Sequence, residues 1–320
     1  MASLKEIKGR IGSVKSTLKI TSAMKLVASA KLRKAQQAVQ AMTPYQERLH
    51  AILTDLMTDY AAKVERGALP PADGLGGAFL VPRNPVRKVA VVAFSSNSSL
   101  CGGFNANVVR ELFSTLRSLE KEGAGVTLFP VGRKVADAAR KVGFAVPDAR
   151  QRLAEHPAYE GASVLADLLT EGYLSGRFDR VEIIWNHFVS TATQQVRHET
   201  FLPLSGLPAA DTLPAGSPEA GEAESPADPA RSEALRGNFI VEPSTEDQIR
   251  RLLQKVLKIN VYTILLDSNA AEHAARTVAM QTATDNGEDL LQDLTLEYNK
   301  GRQQKITSEI LDLVGGSLDR

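Results

Sequence analysis

The chain has 320 residues, a formal net charge of +1 at pH 7 and a hydrophobic fraction of 43%, the balance of a soluble globular protein. No run of about 18 apolar residues is present to cross a bilayer, and the first residues lack the apolar core of a signal peptide. The single cysteine, Cys101, excludes an intramolecular disulfide and points to a reducing compartment.

The chain opens on Ser3 and Glu6, spaced as a capping box, so a helix is expected almost from the first residue. Small or apolar residues then recur at alternating steps of three and four: Leu4, Ile7, Ile11, Val14, Leu18, Thr21, Lys25, Ala28, Leu32, Ala35, Val39 and Met42. Only Thr21 and Lys25 interrupt that stripe. Residues 1–48 carry ten lysines and arginines against Glu6 and Glu47. A nucleic-acid arm, a solvated helix face and a surface for an acidic protein partner each account for such a bias. No interleaved aromatic residues offer stacking for bases.

Gly67 to Pro85, rich in glycine and proline, reads as a structureless connector. The pattern then changes to short apolar runs. Val89–Phe94 and Val126–Val131 read as buried strands joined by a helix over Ala106–Lys121, a βαβ unit. Further helices are expected over Lys134–Val142 and Ser163–Leu174, and strands over Val181–Val189 and Gln195–Leu202. Phe239-Ile240-Val241 could add an edge strand. Pro208–Ala230 carries five prolines and almost no large apolar side chain, so a flexible insertion of about residues 205–237 is expected.

From Ser244 the chain has no further proline, and a second stripe runs from Ile249 to Gly301. One unbroken helix of this extent spans on the order of 100 Å. Thr245 and Gln248 offer it a capping box just after Pro243. Between Ala270 and Ala283 the stripe turns small, which lets another helix approach closely. Asp285-Asn286-Gly287 is a turn signature, yet Thr284, Gly287 and Leu291 keep the stripe in register and favour a continuous helix. The fold class expected is α/β: an antiparallel coiled-coil shaft from residues 1–60 and 244–320, with a Rossmann-like α/β domain over 86–243.

Catalytic constellations are lacking, so no catalytic residue, cofactor or metal is expected. No segment supplies the P-loop spacing. Gly102-Gly103 reads as a tight strand-to-helix turn, and Cys101 as a small buried side chain. His187 and His198 could face each other on adjacent strands, but a third apparent metal ligand is missing.

Three strings, SVKSTLKITSAMKLVASAKLRKAQ near the start, LCGGFN after the first strand and ARTVAMQTATDNGEDLLQDLTLEYNKGRQQKITSEILDLV at the end, resemble the gamma subunit family of F-type ATP synthases. The resemblance covers the chain apart from the connector and the insertion. It implies a shaft turning inside a ring of alternating alpha and beta subunits, with the α/β domain against the epsilon subunit and the membrane c-ring. One copy per complex follows, at the cytoplasmic face of a bacterial inner membrane, with no nucleic-acid partner. The subunit would couple ion flow to ATP synthesis, and ATP hydrolysis to the reverse motion, without an active site. The family's coupling positions match Met24 and Lys25 on the first helix and Arg276, Arg302, Gln303, Thr307 and Glu309 on the last. Asn97, Ser98 and Ser99 stand where the family has Asp-Arg-Gly, a departure that puts the charge contact of that loop in question. The rival classes are a nucleic-acid-binding coiled coil and an enzyme of nucleotides or sugar phosphates built on the α/β domain.

Overall fold

The computed structural model describes residues 3–65, 79, 83–146, 148–204, 242 and 244–318. The chain runs through α1 (Leu4–Glu65), β1 (Lys88–Phe94), α2 (Phe104–Lys121), β2 (Gly125–Val131), α3 (Arg133–Lys141), α4 (Gln151–Glu155), α5 (Tyr159–Leu174), β3 (Arg180–Phe188), β4 (Gln194–Leu202) and α6 (Thr245–Leu318). It divides into two compact units, one of residues 1–30 and 276–320, the other of residues 31–275.

In the larger unit the sheet has the order β2-β1-β3-β4. β1 pairs in parallel with both β2 and β3, and β4 closes the end antiparallel to β3. A parallel core needs cover on both faces, and the alternation along β1 provides it. Val89, Val91 and Ala93 join Val108, Leu112 and Leu119 of α2 and Val135 and Ala139 of α3. Ala90, Val92 and Phe94 point the other way, toward Leu165 and Leu169 of α5, Leu49 and Leu53 of α1, and Leu253 and Leu257 of α6. Each fully buried leucine contributes about 1.5–3 kcal/mol, so the last element of the chain helps to hold the sheet.

Within this unit α1 continues through Pro44. Proline supplies no amide to the Gln40 carbonyl, but Gln40 is exposed and water can satisfy it. Beyond Pro44, Gln46 Nε2 donates to Asn260 Oδ1 of α6 at 2.9 Å, and Leu49, Leu53 and Leu56 are buried. Packing outweighs the local break.

Several expectations need correction. α6 is capped by Ser244, not Thr245: the Ser244 hydroxyl accepts the Asp247 amide at 3.1 Å. Two adjacent hydroxyl residues offer the same spacing, and the first of them takes the cap. The Ser3 hydroxyl accepts the Glu6 amide at 3.2 Å, but the Glu6 carboxylate pairs with Arg10 at 2.8 Å rather than reaching back. The capping box is therefore half formed. α2 and α5 begin earlier than Ala106 and Ser163, and α4 is additional. Within the connector, Phe79 is buried and its carbonyl accepts the Leu204 amide at 2.7 Å. Arg83 donates to the Phe178 carbonyl at 3.0 Å and lies 4.6 Å from the Tyr173 ring centroid. An aromatic ring and a guanidinium thus anchor its described residues. The remainder of the connector, the 205–237 insertion and Phe239-Ile240-Val241 lie outside the described residues.

His187 and His198 do not face each other. His198 pairs with Ile184, three residues from His187, so the two imidazoles emerge on opposite faces of the sheet. On the α2 side, His198 Nε2 lies 2.9 Å from Glu182 Oε2, with Glu111 3.5 Å from Nδ1. The hydrogen bond to Glu182 holds the His198 pKa above its ordinary value; burial opposes the rise, and the Glu182 and Glu111 charges add to it. Because the folded pKa is the higher one, this contribution to stability is complete below about pH 6.5 and fades as pH rises through the raised value. Thermal melts from pH 5 to pH 9 are expected to show that loss, and a H198Q chain should lack this part of the slope.

The smaller unit consists of two helical segments in antiparallel register. A Cβ at Gly301 would lie 3.1 Å from Leu4 Cδ2, and one at Gly287 would lie 2.7 Å from Leu18 Cδ2. The Thr284 hydroxyl donates to Thr21 Oγ1 at 2.9 Å in a buried rung. Residue numbers rise on α1 as they fall on α6. The helix is continuous through Asp285-Asn286-Gly287, and Gly287 serves close approach to Leu18, not a turn. A polar rung in such a seam fixes which residues face each other.

Candidate partner interface

The seam uses one stripe of each helix; Lys25 belongs to the α1 stripe, and the other candidate positions lie beside or beyond the stripes. Met24 and Lys25 are half-buried, one turn beyond Thr21. Arg276 is half-buried and interacts with a neighbouring group. With Thr21 facing Thr284, the antiparallel register sets Arg276 between about one and one and a half turns from the level of Met24 and Lys25.

Arg302, Gln303, Thr307 and Glu309 form a separate group. They follow Arg276 by some 26 residues, or about 40 Å along the axis. Gly301 lies against Leu4, the first residue of α1, so the helix from Arg302 onward runs past the start of its neighbour. Every residue from 302 to 311 is exposed. At about 100° per residue, Arg302 and Glu309 share one side of the helix, with Gln303 and Thr307 on the next. The Thr307 hydroxyl donates to the Gln303 carbonyl at 2.9 Å. Glu309 lies 3.8 Å from Lys305, an exposed pair of small energetic weight. Arg302 has no ion pair among the described residues, so its fork of donors is available to a carboxylate or carbonyl on another chain. The structure thus assembles the sequence candidates into two levels, not one site.

Stripe reading missed a second set of residues. Ile20, Leu26 and Val27 on α1 and Leu290, Leu296, Ile306, Ile310 and Leu311 on α6 are large, apolar and exposed, Leu26 at 71%. Their signal in the sequence is negative: they are apolar yet fall off the three-four stripe.

The sheet of the larger unit shows the opposite property. In open α/β sheets, ligands bind in the crevice beyond the carboxyl ends of the parallel strands, where the strand order reverses. Here the carboxyl ends of β1 and β2 are covered by the chain itself. Ser95 Oγ accepts the Val135 amide at 3.0 Å. Asn97 Oδ1 accepts the Arg133 amide at 3.0 Å, and Asn97 Nδ2 donates to the Gln151 carbonyl at 2.7 Å. The Ser96 amide donates to Asn105 Oδ1 at 3.0 Å, and the buried Cys101 sulfur accepts from Asn105 Nδ2 at 3.1 Å. The Asn97 to Ser99 loop therefore acts through internal hydrogen bonds, and Gly102, at φ 55°, makes the tight turn into α2. Leu265, Ser268, Asn269 and Glu272 of α6 close over Phe94, Ser95, Val131 and Ala154, leaving a cavity of about 10 Å³. That is room for about one water.

Comparison with known proteins places this architecture. The ATP synthase family profile matches residues 3–318. The ATP synthase gamma chain of Phocaeicola vulgatus is 47% identical over 319 residues, covering 99% of this chain and 100% of that protein. The gamma chains of Bacteroides thetaiotaomicron and Flavobacterium johnsoniae are 45% and 41% identical over 319 residues, covering 99% of this chain and 100% and 98% of theirs. Among solved structures, the central stalk and c-ring of the Tetrahymena thermophila mitochondrial ATP synthase contains a chain similar in fold, with a TM-score of 0.53 at 21% identity, covering 82% of this chain and 99% of that one. Long paired terminal helices, a small α/β sheet and full-length similarity agree: the chain belongs to the ATP synthase gamma chain family, the central-stalk subunits of the rotary enzyme.

Proposed function

We propose that the two-helix unit turns inside a ring of alternating alpha and beta subunits, and that the α/β unit meets the epsilon subunit and the membrane c-ring. Ion flow then drives ATP synthesis on other chains, and ATP hydrolysis there drives the reverse motion. The observation that carries this reading is the outward-facing apolar set from Ile20 to Leu311. Large exposed apolar side chains on a narrow helical unit suit a cavity that other proteins supply. No described helix is long and apolar enough to cross a membrane, which fits a peripheral subunit at the cytoplasmic face of the inner membrane. The covered carboxyl ends of β1 and β2 support a subunit without an active site and count against the enzyme reading.

Met24, Lys25 and Arg276 form the inner contact level in this reading, and Arg302, Gln303, Thr307 and Glu309 the outer one. Their contacts must differ between ring positions, since a partner bound equally in every state shifts none of them. Replacing Arg302 and Gln303 together with alanine in the assembled complex removes hydrogen bonds to charged or carbonyl groups. A loss of about 1.5 kcal/mol corresponds to roughly tenfold in rate, so ATP synthesis and hydrolysis are both expected to fall by about that factor. Unchanged rates would remove both residues from the coupling account.

A further inference from the structure

One carboxylate joins α6 to the sheet at three points. Asp267 Oδ2 accepts Trp185 Nε1 at 2.9 Å and lies 2.8 Å from His187 Nδ1, while Oδ1 accepts the Phe188 amide at 3.0 Å. All three partners lie in the carboxyl-terminal half of β3, and Asp267 is only 7% exposed. Around this contact Leu265 packs into one core and Ala270 and Ala271 lie in clusters against Phe188, while Ser268, Asn269 and Glu272 cover the ends of β1 and β2.

These two kinds of contact resist different motions. Burial of apolar surface is non-directional, so it holds a helix down but opposes rotation about the helix axis only weakly. Hydrogen bonds weaken steeply with angle, and charge-assisted ones are the stronger kind. Three donors converging on one carboxylate fix the azimuth of α6 on β3. α6 itself runs as one helix from Thr245 to Leu318.

We infer that Asp267 is the rotational lock between α6 and the α/β sheet, the point at which twist passes between them; this rests on the rotary reading above. It is a positioning residue that touches no substrate. Trp185 and His187 are its side-chain partners, and loss of the carboxylate leaves buried donors unsatisfied.

The test uses the assembled complex with the ring immobilised and a bead attached through a cysteine at the exposed Val164 of α5. D267N keeps the side-chain shape but turns an amide toward donors. Its stalled angular variance is expected to rise by about twofold or more while ATP hydrolysis stays within about twofold, with W185F, which removes one donor, in between. Unchanged variance in both variants overturns the lock. If D267N does not assemble, W185F alone decides: raised variance with normal hydrolysis supports the lock, and unchanged variance overturns it. Equal loss of hydrolysis and assembly in W185F, without increased variance, also overturns it and leaves Asp267 a fold-holding residue. A bead that never turns on the unaltered complex would instead refute the rotary reading, so the two failures are distinguishable.

Discussion

Replacing Gly132 with alanine is expected to unfold the sheet-bearing unit, at a cost of about 4 kcal/mol. Gly132 joins β2 to α3 with φ at 102°, a conformation that side chains rarely adopt, and a Cβ there would lie 2.1 Å from the Ser95 carbonyl oxygen. The obstacle is backbone, so no rotamer change relieves it. Nor can the strand retreat. Ser95 is bound by its amide to the Val131 carbonyl at 2.8 Å, and its hydroxyl accepts the Val135 amide at 3.0 Å. The Gly132 amide itself donates to the Ala149 carbonyl at 2.8 Å. Movement of one of these segments breaks the others. Chemical denaturation of the G132A chain, followed by circular dichroism, should show a large drop in midpoint or no folded baseline; a midpoint shift of less than about 1 kcal/mol would show that the turn has slack.

Enlarging the small face of α6 should be nearly as damaging. Ala270 and Ala274 are fully buried against Leu32 and Ala35 of α1, with Phe188 alongside. Alanine at these positions sets the distance between the helices. A leucine at either site must force neighbours off their rotamers or push the helices apart, which costs about 1–3 kcal/mol. The two sites share neighbours, so A270L with A274L should differ from the sum of the single changes, with a total of about 4 kcal/mol. Displacement of α6 would also loosen Leu253 and Leu257, which lie in the core of the sheet. Thermal unfolding of the single and double variants measures both the loss and the coupling, and an unaltered melting temperature would mean that the helices separate without cost.

The paired helices were legible because a stripe of period three and four survives wherever a helix is buried along one side. Every member of the α1 stripe from Leu4 to Met42 is buried or half-buried, including Thr21 and Lys25. The strands were legible for a similar reason: runs such as Val89–Phe94 need cover on both faces and contain little else. α4, with five residues, is too short to show a period. Asp267 reads locally as one polar residue on a helix, because its three partners lie some 80 positions earlier in the chain. The exposed apolar residues became recognisable only when the seam had claimed its own stripe. Arg302, Gln303, Thr307 and Glu309 owe their selection to the resemblance; their exposure on an unaccompanied stretch of helix comes from the structure.

That unaccompanied stretch has a consequence for the life of the subunit before assembly. From Arg302 to Leu318 the helix has passed Leu4, so packing against α1 no longer adds to its local propensity, and a helix end without such packing frays first. In a free subunit this stretch is expected to open before the paired segments do, which would expose the backbone around Ile306, Ile310 and Leu311 to proteolysis. Enclosure by a surrounding complex would remove both hazards at once.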